Sequence, residues 1–218
     1  MRGFGLLLAF FGCPLLLLIA RRLRLDSLSP AVRLGLWLIC FGVVGIAAQT
    51  SDSWMRQLGI SAPTPKTVLA AVAGVAITLA AWPLIKLVQL FAGGLPVEQT
   101  TQFQRLVQLS IARRLFIIAT AGVVEETLYR GYGIGLGKYI FGSAWTAALV
   151  SLVIFTCAHF RWGLSHLLSV FWAGFVLTLL FVFNQDLIAC ILAHIAIDVI
   201  GILIAPAIIA RRNAMKAG

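Results

Sequence analysis

The sequence predicts an all-α membrane protein: a polytopic bundle of about seven transmembrane helices, with six to eight as the range. Three observations predict it. Of 218 residues, 61% are hydrophobic and 11% charged, with a mean hydropathy of +1.02, a composition of membrane helices rather than of a soluble domain. The apolar stretches follow one another with short connectors, so residues 1–218 read as a single integral membrane domain. The Lys and Arg residues gather in the joints between these stretches, which is how the positive-inside rule distributes charge. That pattern accounts for the net charge of +10, and no nucleic-acid partner is expected.

Apolar spans fall at about 4–20, 34–49, 67–91, 115–136, 144–160, 164–183 and 187–208. The first begins like a signal peptide, after Arg2. It ends in Arg21-Arg22-Leu23-Arg24 rather than at a small-residue cleavage site, and so reads as a retained helix. The second and fifth spans are short for a hydrocarbon core that needs about 20 residues. Pro83 is expected to kink the third. The following loop, 92–104, holds Gly93-Gly94 and Pro96, and Phe103–Arg114 suits an interfacial helix or a solvated connector equally. Re-entry of 92–114 into the membrane would make eight spans. Gly131, Gly133, Gly135 and Gly137 close the fourth span, where close packing or a frayed helix end explains them better than a phosphate loop. The cysteines Cys13, Cys40, Cys157 and Cys190 stand singly in apolar stretches. They read as small buried hydrophobes rather than a metal or disulfide framework.

Threading the spans with the N-terminus outside places Arg21, Arg22, Arg24, Arg33, Arg105, Arg113, Arg114, Arg161, Arg211, Arg212 and Lys216 inside. Only Arg2, Arg56, Lys66 and Lys138 then lie outside, and Lys86 snorkels to the inner interface. The expected location is a bacterial inner membrane, multi-pass, with the C-terminus cytoplasmic and lipid as an obligatory partner.

Residues 115–208 carry the chemistry. Val123-Val124-Glu125-Glu126-Thr127-Leu128-Tyr129-Arg130 sets two of the seven acidic residues side by side at membrane depth, where each charge costs about 3 kcal/mol or more. On a helix Glu126 and Arg130 stand at i and i+4 in the favoured order, while Glu125 points about 100° away. The division this suggests is Glu126–Arg130 as an internal brace and Glu125 as the group free for chemistry. A plain buried ion pair beside a protonated Glu is the alternative. His159 ends the fifth span, and His194 and Asp198 share a face of the seventh at i and i+4. His166, opening the sixth span, reads as interfacial. Ionisable groups on three spans can satisfy one another only by converging, so Glu125, His159, His194 and Asp198 are expected around one wet cavity. Depth is in tension: Glu125 lies about 15 Å in, whereas His159 falls near the inner surface unless its span runs past Arg161 or bends inward.

Glu125-Glu126-x-x-x-Arg130, Phe155-x-x-x-His159 and His194-x-x-x-Asp198, in that order on successive spans, resemble the motifs of the CPBP family. These are the CAAX-protease and bacteriocin-processing (Abi) intramembrane endopeptidases related to the Rce1 type. The resemblance implies hydrolysis of a peptide bond in a membrane-associated or lipidated polypeptide. Glu125 would be the general base, His159 would hold the water with it, and His194 and residue 198 would stabilise the oxyanion. Family members usually end the third motif in Asn. Asp198 has no proton to donate when ionised, so it must be protonated, or orient His194, or join a metal site. A metal-free site without cofactor is the preferred expectation, with zinc held by Glu125, His159, His194 and Asp198 as the alternative. A proton- or cation-coupled transporter and a catalytically silent scaffold of the same fold are the competing functions. The resemblance leaves the substrate open among prenylated CAAX proteins, bacteriocin-like peptides and C-terminal anchors of a sorting system.

Overall fold

A computed structural model describes residues 1–91, 101–160 and 163–217. Among these the chain is helical without a strand. α1 (Arg2–Arg22) and α2 (Pro30–Thr50) form an antiparallel hairpin. Ser29 starts α2 by accepting the Val32 N–H, and Pro30 fills the first turn, where its missing N–H costs nothing. A single turn, α3 (Trp54–Gln57), leads to α4 (Pro65–Ala80), whose Thr64 and Thr67 cap one another's backbone reciprocally. The expected kink is a break at Ala81, two residues before Pro83, after which α5 (Trp82–Phe91) continues.

Residues 92–100, with Gly93, Gly94 and Pro96, lie outside the described residues, as do Arg161 and Trp162. α6 (Thr101–Val107) does not end as a solvated connector: Leu106 is buried against Leu28 and Ile117. α7 (Ile111–Thr120) runs directly into a wide, π-type helix over Ala121–Leu136. The Gly137 N–H reaches back five residues, to the Tyr132 carbonyl at 3.0 Å. Such turns are rare and concentrate at functional sites. Beyond α8 (Lys138–Phe141) come α9 (Ala144–Ala158), α10 (Leu164–Asn184) and α11 (Leu187–Val199). α11 widens over Ile200–Ile204 and continues as α12 (Ala205–Ala217).

Each of the seven apolar spans is thus helical. Five described helices are long and apolar enough to cross a membrane: Arg2–Arg22, Pro30–Thr50, Pro65–Phe91, His166–Asn184 and Leu187–Arg212. α9 is shorter, and the segment 111–136 holds the acidic pair. Large apolar side chains such as Phe4, Leu38, Leu69 and Leu149 face outward, as lipid requires of a bundle held by close packing and interhelical hydrogen bonds.

The wide helix is the core. Every residue from Glu126 to Leu136 on it is buried, and α1, α2, α9 and α11 pack around it. Gly135 is needed because a Cβ there would strike the Gln57 carbonyl oxygen, so its glycines serve close packing. Cys13, Cys40 and Cys190 are buried as expected, but Cys157 is exposed on the outer face of α9.

Candidate active site

Arg130 and Glu126 are enclosed by protein, with side chains 1% and 0% exposed. A guanidinium so placed must be paired. Its Nη1 donates to Glu126 Oε1 at 2.9 Å and its Nη2 to the Gly174 carbonyl on α10 at 2.9 Å. The cation also sits 4.4 Å from the centre of the Phe155 ring on α9. Arg130 therefore ties the wide helix to α9 and α10 together. Gly174 allows it, since a Cβ there would lie 2.9 Å from the Phe155 ring.

The same Glu126 oxygen receives a second donor. His194 Nδ1 lies 2.7 Å from Glu126 Oε1, and since Glu126 already pairs with Arg130, the imidazole is the donor. This fixes the ring: Nδ1 carries a proton and Nε2 faces Asp198 Oδ2, 3.7 Å away, beyond hydrogen-bond distance. The orienting of His194, allotted to Asp198 as one sequence-based option, is thus performed by Glu126. The separation of the acidic pair into a pure brace and a pure chemical group is correspondingly too simple. Glu126 Oε2 has no hydrogen-bond partner among the described residues.

On the neighbouring face, Glu125 Oε2 stands 3.8 Å from His159 Nε2, both side chains about one-fifth exposed. His159 Nδ1 donates to the Phe155 carbonyl, one turn back, at 2.8 Å. In the neutral ring this leaves Nε2 as an acceptor turned toward Glu125. The depth tension is resolved by length. α9 has 15 residues, about 22 Å at 1.5 Å each, so it ends within the bundle at His159, level with Glu125.

Glu125, His159, His194 and Asp198 all line one cavity of about 640 Å³. Its walls are largely apolar, with a smaller set of polar and ionisable groups among them, as binding sites are built. His166 reaches it too, rather than standing only at an interface. Phe155, Gly174 and Arg33 belong to the site's surroundings and were not foreseen in these roles. Only the i, i+4 relation of Phe155 to His159 signalled one of them.

Zinc fits this arrangement poorly. The four candidate ligands stand as two separate pairs, and among the described residues no three His, Cys, Asp or Glu side chains are grouped to hold one metal ion.

Fold and cavity define a class: a polytopic helical membrane protein with a carboxylate–imidazole site built inside its bundle. Residues 107–200, somewhat under half of the chain, match the family model described as "Type II CAAX prenyl endopeptidase Rce1-like", and over these residues the chain is similar to that family. The match spans all three motifs, from Glu125 to Asp198. Comparison with curated proteins and with solved structures gives no match.

Proposed function

We propose that the protein is an intramembrane endopeptidase that hydrolyses a peptide bond of a membrane-associated or lipidated polypeptide, with Glu125 as general base. The observation that carries this reading is the Glu125–His159 pair, 3.8 Å apart on a cavity wall with the histidine tautomer set by the Phe155 carbonyl. One water can donate to both acceptors at once, which directs an oxygen lone pair at a bound carbonyl carbon. Glu125 takes the proton as the oxygen attacks. The resulting oxyanion needs donors in place beforehand, and His194 Nε2 and Asp198 are the groups facing the cavity beside it. His194 donates there as the imidazolium, between Glu126 and Asp198; Asp198 donates as the carboxylic acid. Glu125 then passes its proton to the leaving nitrogen as the C–N bond breaks, giving a carboxylic acid and an amine and freeing the base. No step requires a metal.

The test uses the purified protein in proteoliposomes with a fluorogenic peptide anchored by one lipid chain. Cleavage by the wild type, lost in Glu125→Gln and indifferent to a chelator, is the expected result. Inhibition by the chelator that added zinc reverses would replace the metal-free mechanism. Solute or proton flux without cleavage would replace the peptidase reading altogether.

A further inference from the structure

Arg33 stands in the first turn of α2, the end of a helix where a cation is unfavourable. Something other than helix stability therefore accounts for it. It lines the same cavity as Glu125 and His159 and lies within electrostatic reach of Glu125. Its Nη2 donates to the Ser27 carbonyl at 3.1 Å, whereas its Nε is buried without a hydrogen-bond partner among the described residues. Asp26, in the same connector, is engaged elsewhere: it pairs with Arg105 at 3.1 Å and accepts the Leu28 N–H at 3.0 Å. Lys86 brings a second cation to the cavity from α5. Much of the remaining wall is apolar, including Leu17, Leu36 and Ile85.

A cavity of this kind combines a water-activating acid with a guanidinium that, among the described residues, makes no direct ion pair. We propose that Arg33 is a specificity-determining residue that binds a carboxylate of the substrate, the one at its C-terminal chain end. The proposal rests on the peptidase reading. A carboxylate drawn into an apolar cavity is strongly disfavoured unless paired, and a guanidinium meets both its oxygens with parallel N–H bonds. Lysine, a point charge, cannot reproduce that fork. An acidic side chain or a lipid phosphate offers the same chemistry, and the experiment separates them from the chain end.

Two lipid-anchored fluorogenic peptides, identical except for a C-terminal acid or amide, are presented in phosphatidylcholine nanodiscs. The wild type is expected to favour the acid by roughly tenfold or more in kcat/KM, the scale of one charge-assisted contact. Arg33→Gln should bring that ratio close to one, and Arg33→Lys should keep part of it. Binding of both peptides to Glu125→Gln protein, read by fluorescence anisotropy, should show the same acid preference without cleavage. Equal treatment of the two peptides by the wild type overturns the assignment without needing any variant to fold. So does failure of both to bind. An acid preference that survives Arg33→Gln also overturns it, and co-purified anionic lipid lost from that variant would then assign Arg33 to a phosphate. An amidated peptide with an internal Glu that binds as well as the acid removes the chain end from the proposal. Acid-selective binding without cleavage supports Arg33 and tells against the peptidase reading.

Discussion

At Glu126 one carboxylate oxygen serves a guanidinium at 2.9 Å and an imidazole at 2.7 Å, so a change there acts on stability and on the site at once. Glu125→Gln is expected to leave a folded protein without cleavage, because the base goes and the shape stays. Glu126→Gln leaves Arg130 buried without its charge partner, a loss of about 3–5 kcal/mol, and releases His194 as well. Its expected result is lower yield and thermal stability, with impaired activity in whatever folds. Thermal unfolding beside the cleavage assay checks both, and equal behaviour of the two variants would sink the distinction. Asp198 can be examined separately. With His194 held by Glu126, residue 198 is free of an orienting duty, so Asp198→Asn is expected to be tolerated. An amide donates at every pH, a carboxyl only while protonated. The wild type should therefore lose activity as pH rises through the titration of Asp198, and the Asn variant should lack that limb. An inactive Asn variant would rule out donation by residue 198. The convergence of Glu125, His159, His194 and Asp198 on one cavity was legible in the sequence because ionisable residues are scarce in such a chain. The partnership of Glu126 with His194 was not, since it joins residues 68 apart and spacing reports only on neighbours along one helix.

Among the helices, length and turn width place the site. α9 ends early, at 15 residues, and thereby delivers His159 to the depth of Glu125; the wide helix turns the acidic pair between α9 and α11. Hydropathy located both elements but measures only apolarity, so it extended α9 to residue 160 and gave no sign of hydrogen bonds spanning five residues. Pro83 marked its break correctly, because a missing N–H is a local property that sequence displays. Gly174 offers the sharpest check at this scale. It lies opposite Phe155, whose carbonyl accepts from His159 and whose ring faces Arg130. Gly174→Ala forces a methyl against that ring, and overpacking of this kind costs about 1–3 kcal/mol. Lower thermal stability and weaker cleavage are expected together, since the same ring lies against the Arg130 guanidinium and 4.7 Å from the His159 imidazole. An alanine variant matching the wild type in both measurements would show that α9 and α10 are not closely fitted there.

Charge sorts the molecule into two ends, and the cavity belongs to one of them. Arg2 donates to the Thr50 carbonyl and stacks over Tyr139, and Lys138 reaches Gln185, which groups the sparse basic residues at one end. At the other, Arg105 pairs with Asp26, Arg114 donates to the Ile202 carbonyl, and Arg33 lines the cavity wall. The packing thus brings together the same residues that alternate along the sequence, which is why orientation can be argued from composition. Short basic joints are retained on the cytoplasmic side, so the cavity is expected to face that compartment and α12 to end in it. A reporter active only outside the membrane, fused after Met215, should be silent, and one active only in the cytoplasm should be active. The converse fusions after Asp52, in the turn between α2 and α3, should give the opposite pattern. A cysteine placed at Arg212 should be labelled by an impermeant thiol reagent only in inverted vesicles. An external C-terminus would reverse the bundle and put the cavity on the outer face. A substrate would then have to reach it after translocation, although the arrangement of Glu125, His159, His194 and Asp198 within the bundle would be unchanged.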